Sequence, residues 1–178
     1  MQTKWYLKVT TENLGSPYAA WNGRYKIGKW LPNRKPDMCA SGWHATSLKR
    51  LKHYLSWYRR VFVCVVDGEV IEDTYKIAAE RMILVFELGT NNPAFARFLG
   101  QRVRAKRRKL IDKILKDGYF TRKAINSRRS DIVSAISEHY GEVDVDWCKY
   151  LVGACSDKVE RELLTKWIES QLRKLGYK

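Results

Sequence analysis

The chain has 178 residues, 45% of them apolar and 12% aromatic, with 34 lysines and arginines against 19 acids, a formal charge of +15. Seven Trp and ten Tyr exclude a disordered basic tail, which lacks the large side chains whose burial offsets chain entropy, and the length suits one domain or a domain with an appendage. The start MQTKWYLKVT has no apolar leader core, and no run approaches the ~20 apolar residues that span a bilayer, so neither secretion nor membrane contact is expected and the cytoplasm is the expected location.

The expected fold class is α+β: a small mixed or antiparallel sheet domain with a short helix over residues 1–90, then a basic helical bundle over 91–178. Lys4 to Thr10 alternates as a strand does, and Arg24 to Trp30 reads as a second. Thr46 or Ser47 can cap a short helix in which Leu48, Leu51, Leu55 and Tyr58 recur at helical spacing. Val61 to Val66 is apolar on both faces, as a central buried strand is. Asp67-Gly68 signals a hairpin turn, and after GEVIEDTY the run IAAERMILVFEL reads as a strand through Met82 to Phe86.

Composition changes at Gly89-Thr90-Asn91-Asn92-Pro93. A helix follows from Ala94 to Lys116, with Leu99, Val103, Leu110 and Ile114 on one stripe and Arg97, Arg104 and Arg108 opposite at 100° per residue. Asp117-Gly118 ends it, a second helix runs from about Thr121 to Tyr140 and stops at Gly141, and a third starts near Ser156, turns Val159, Leu163, Trp167, Ile168 and Leu172 inward, and stops at Gly176.

Charge is the most legible functional signal. Between Pro93 and Ser130 there are 13 basic and 2 acidic side chains, so +11 of the +15 lies in that stretch. A concentrated single-sign segment attracts polyanions and releases their counterions, which points to nucleic acid, DNA or RNA; a solvated basic helical face and an acidic protein partner are the alternatives. Arg97, Arg104, Arg107, Arg108, Lys109, Arg122, Lys123, Arg128 and Arg129 are the candidate phosphate contacts. The helix, turn and helix here depart from the helix-turn-helix template, with a charged residue replacing the turn Gly and no Asn, Gln and Arg set for base edges, so phosphate binding is expected in place of sequence readout. Tyr119 and Phe120 suit either base stacking or a plug between helices.

Cys39, Cys64, Cys148 and Cys155 are scattered, with no CxxC pair and no paired His at zinc-finger spacing, so they read as reduced thiols without a metal. No phosphate-binding Gly loop, GxSxG, HExxH or paired acidic cluster is present. Two weak catalytic candidates stand out. His44, in Gly42-Trp43-His44-Ala45-Thr46-Ser47, suits a general base or a ligand-orienting donor, or else a structural role, since no acid lies near it in sequence. Glu80, inside an apolar run, would have its pKa raised by burial, or would face water at an edge.

GRYKIGKW, CASGWHA and VFVCVVDGEVIEDTYKIAAERMILVFEL together resemble a family of small domains common in tailed bacteriophages, over residues 24–88. Tyr25, Gly28, Cys39, Gly42, Trp43, His44, Gly68, Glu69, Val70, Lys76, Glu87 and Leu88 carry the likeness. It implies a phage or prophage origin and a compact, strand-rich domain, and no particular activity; nucleic-acid engagement would then serve host takeover, counter-defence or the phage's own DNA or RNA metabolism. A second resemblance, to ADP-ribosyltransferases, rests on the order of an early strand, a Ser/Thr turn and a late Glu-bearing strand. Thr46, Ser47 and Glu80 match that pattern, the early Arg or His at the end of the first strand has no clear counterpart, and the likeness implies NAD as cofactor. A third reading is an inhibitor that occupies an acidic surface or nucleic-acid groove of a host complex.

Overall fold

The computed structural model describes residues 4–17, 23–38, 40–55, 59–89, 91–116 and 147–177. The fold is α+β. Four strands, β1 (Trp5–Thr11), β2 (Trp43–Ala45), β3 (Arg59–Glu72) and β4 (Ile77–Glu87), form an antiparallel sheet in the order β1-β3-β4-β2. A 3-10 helix (Leu48–His53) and three α-helices, α1 (Pro93–Lys116), α2 (Trp147–Ser156) and α3 (Lys158–Lys174), complete the described elements.

The two edges of the sheet meet. Leu7 N–H donates to the Thr46 carbonyl at 2.8 Å and Thr46 N–H returns to Leu7 at 2.9 Å, so β2, bonded to β4 on one side, also touches β1. The enclosed face carries Trp43, Phe62, Cys64, Ile77, Met82 and Leu84, covered by Tyr25 and Leu31. Val61 to Val66 is buried at every position, as a central strand requires.

Three local expectations change. Arg24 to Trp30 is not a strand: a turn interrupts it, with Gly28 at φ +74° and Lys29 N–H donating to the Lys26 carbonyl, and Gly28, Leu31 and Arg34 donate in turn to the carbonyls of Leu84, Met82 and Glu80 at a three-residue spacing in place of the two-residue pleat. Asp67-Gly68 is not a turn. Gly68, at φ +77°, sits where the β3–β4 register shifts between Asp67 and Val70, and β3 continues through this bulge to Glu72. The chain reverses instead at 73–76, where the Asp73 carboxylate accepts from Tyr75 N–H (2.6 Å) and Lys76 N–H (2.8 Å). Ser47 precedes the 3-10 helix without capping it through its side chain; Leu48 and Leu51 are buried as expected, and Tyr58 lies outside the described residues.

The chain divides into two compact units, residues 1–92 with 147–178, and 93–146. A boundary at 90 that leaves all later helices in one bundle is therefore not the division observed. α2 packs on the 3-10 helix, and Trp167 of α3 meets Phe86 of β4 edge to face at 5.9 Å, which ties the last two helices to the sheet. α3 begins at Asp157, whose carboxylate accepts from Val159 and Glu160 N–H, and ends at Gly176. Its buried stripe is Glu160, Leu164, Ile168 and Leu172. Ile168 and Leu172 are buried as expected, but Val159 is 60% exposed and Leu163 and Trp167 are half-buried, so in the first half of the helix the inward face lies one residue beyond the expected one.

Candidate functional site

Two features carry ligand chemistry, one in each unit. In the second unit, α1 starts at Pro93, a favoured first helical position. Phe95, Leu99 and Val103 are buried, whereas Arg97, Arg104 and Arg108 are exposed on the opposite side, with Lys106 and Lys109 also exposed. Both faces expected of this helix are thus present over its first four turns. The side chains of Arg107, Leu110 and Ile114 lie outside the described residues, as do Tyr119, Phe120, Arg122, Lys123, Arg128 and Arg129 and the whole second helix expected from 121 to 140.

In the first unit a cavity of about 620 Å³ opens at the seam between β1 and β2, under the Asp73–Lys76 turn. That volume is in the range of small-molecule sites. Lys8 lies at its floor. Both faces of β1 are covered, so Lys8 is only 7% exposed; its Nζ donates to the His44 carbonyl at 2.7 Å and stands 5.2 Å from the Tyr25 ring centre. Burial lowers its pKa to about 8. The Arg34 guanidinium stacks on Trp43 at 4.4 Å, and Trp43 in turn donates from Nε1 to Pro32 O. Lys76, Tyr54, and the His53–Tyr75 pair, in edge contact at 5.6 Å, complete the cationic and aromatic wall.

His44 lines this cavity. Burial first, then the charges of Lys76 and Lys8, lower its pKa, which favours the neutral imidazole. Glu80 does not line it. One carboxylate oxygen accepts from Asn33 Nδ2 at 3.3 Å and the other from Glu69 N–H at 3.1 Å, so this half-buried side chain buttresses the β3 bulge. The Thr46 hydroxyl lines the cavity but donates to the Tyr75 carbonyl at 2.9 Å, and Ser47 lies outside the lining. Of the residues matched to the ADP-ribosyltransferase pattern, only Thr46 reaches the cavity, where His44 joins it. Among the described residues no group of three His, Cys, Asp or Glu side chains is placed to hold a metal, and no helix is long and apolar enough to cross a membrane.

Lys8, Arg34 and Lys76 had no site role in the sequence reading, although Lys76 is among the residues that carry the phage-domain likeness. In an alternating strand Lys8 reads as a solvated position, and Arg34 and Lys76 reach the cavity from a loop and a turn whose meeting no local period encodes. The fold is α+β, and each unit carries a cation-rich surface among the described residues. No family model, curated protein or solved structure matches the chain.

Proposed function

We propose that the protein binds nucleic acid, DNA or RNA, through its phosphates, with the cationic face of α1 as the contact surface. The observation that carries this reading is the exposure of Arg97, Arg104 and Arg108 on one side of a helix whose opposite side buries Phe95, Leu99 and Val103. A helix so divided holds its charges toward solvent at fixed spacing, which suits a polyanionic backbone better than base edges. Arg107, Lys109, Arg122, Lys123, Arg128 and Arg129 extend the same charge along the sequence. The resemblance to tailed-phage domains makes an accessory role in host takeover or counter-defence the natural setting. The turnover of NAD implied by the second resemblance draws less support, since Glu80 is committed to the β3 bulge.

Salt dependence tests the reading. With about five phosphates neutralised, log affinity for duplex DNA should fall against log salt with a slope near −4.5, and exchanging Arg97, Arg104 and Arg108 together for Gln should flatten it by about 2.7. An unchanged slope removes α1 from the interface. A host protein that stays bound after nuclease treatment, with negligible affinity for free nucleic acid, favours the inhibitor reading instead.

A further inference from the structure

The cavity at the β1–β2 seam combines two properties that a packed core does not need. It is rich in cations: Lys8, Arg34 and Lys76 line it with Asp73 as the one carboxylate of the lining, and Asp73 accepts from two backbone N–H groups of its own turn. The ion pairs among the described residues are Arg50–Glu72, Arg60–Glu87 and Arg81–Asp67, so neither Lys8 nor Arg34 has a carboxylate partner there. A net positive field in a partly enclosed space favours an anion. The cavity is also walled by Tyr54 and, at 55% exposure, Tyr75, which present ring surface to a planar group, while the buried Tyr25 and Trp43 lie behind Lys8 and Arg34.

A second cleft of about 520 Å³ adjoins it, and His53 and Tyr75 line both. Its other walls bring Lys49, Arg50, Lys52 and Arg161, with no carboxylate in the lining. Cations that continue past an aromatic pair suit a chain of phosphates whose terminal base has left its stack.

We infer that the cavity takes one nucleoside phosphate, its anion among Lys8, Arg34 and Lys76 and its base against the aromatic wall, either as a free nucleotide or as the unstacked nucleotide of a single strand whose next phosphates follow the cationic cleft. The inference uses only residues of the first unit and stands apart from whatever α1 binds. An anion beside Lys8 restores the ammonium form that burial disfavours, so binding draws in a proton near pH 8.

The test uses the full chain with AMP, adenosine, inorganic phosphate and a 5′-phosphorylated adenylate trimer as probes. AMP at a hundredfold excess over its Kd should raise Tm by roughly 5–10 °C. Adenosine and phosphate should each need at least about tenfold higher concentration for the same shift. Calorimetry at pH 8 in buffers of different ionisation enthalpy should find about 0.5 proton taken up. Arg34→Gln and Lys76→Gln should each weaken AMP at least about tenfold; Lys76, beside the turn, carries the test if the Arg34 variant misfolds. A trimer that binds more tightly than AMP, with the excess lost in Lys49→Gln/Lys52→Gln, identifies the nucleotide of a strand; equal binding identifies the free nucleotide. The variant without Arg97, Arg104 and Arg108 should keep its AMP response, which separates this site from α1. No response to AMP or trimer, phosphate acting as well as AMP, or full affinity in a correctly folded Lys76→Gln variant overturns the inference.

Discussion

Lys8 sits where β1 would be expected to meet water, and closure of the sheet at Leu7 and Thr46 covers it. Its folded pKa of about 8 lies below the ordinary 10.5, so between those values the unfolded chain binds more protons and stability rises with pH. Between pH 8 and 9 the gain should be roughly 1 kcal/mol. The buried Cys64 thiol, pushed up to about 12, acts in the opposite sense from about pH 9 upward. Urea unfolding at pH 7, 8 and 9 should therefore show a rise that Lys8→Met abolishes; an equal rise in the variant would place the proton elsewhere. Gly42 is the other residue under tight constraint. It has φ +87°, and an added Cβ would stand 3.0 Å from Pro36 Cα and 3.2 Å from Ala79 O, backbone atoms with no freedom to swing away. Gly42→Ala should cost about 1–3 kcal/mol, whereas Gly100→Ala, which meets open space on α1, should be neutral or stabilise by up to about 1 kcal/mol. Thermal melts of the pair check this. The Gly42-Trp43-His44 motif was legible in the sequence because a backbone requirement dictates a residue type, while Lys8 was not, because its environment is made by a strand 36 residues away.

At the scale of elements, α3 shows how one charged residue can misphase a pattern. Its buried register begins at Glu160, which a search for apolar spacing passes over; the Tyr150 hydroxyl donates to the Glu160 carboxylate at 3.2 Å and makes the burial tolerable. With Glu160 omitted, the first half of the stripe is rotated onto Val159 and Leu163, one residue short of the true one, and the two coincide only from Ile168 onward. Leu164→Ala should cost about 2–5 kcal/mol, and Val159→Ala should stay within about 0.5 kcal/mol of the parent. Equal costs, measured by chemical denaturation, would contradict the observed rotation. The strands were legible wherever apolar residues dominated, as in β3 and β4. The run from Arg24 to Trp30 was not, since a turn at Lys26 to Lys29 interrupts it and leaves Ile27 and Trp30 47% and 41% exposed.

For the whole molecule, the division of the chain matters more than the number of its elements. The first unit is made of the two ends of the sequence, and the cationic stretch is an insertion between them. A fragment ending at Asn92 lacks α2 and uncovers the 3-10 helix on which it packs, including Leu51, fully buried in the complete chain. It should lack a cooperative thermal transition and a structured near-UV spectrum. A fragment that melts cooperatively within a few degrees of the full chain would show that residues 1–92 are self-sufficient.

That discontinuity sets an order of events during synthesis. The sheet strands emerge first, the cationic helix next, and the helices that cover the 3-10 helix last. At ~5–20 residues per second, the interval between Asn92 and Leu172 lasts roughly 4–16 s. In the second half of it the most positive stretch of the chain has been made beside a machine built largely of polyanion, while the first unit still lacks its cover. Nascent chains stalled near residue 146 should accordingly be held by salt-sensitive contacts that weaken when Arg97, Arg104 and Arg108 are exchanged for Gln.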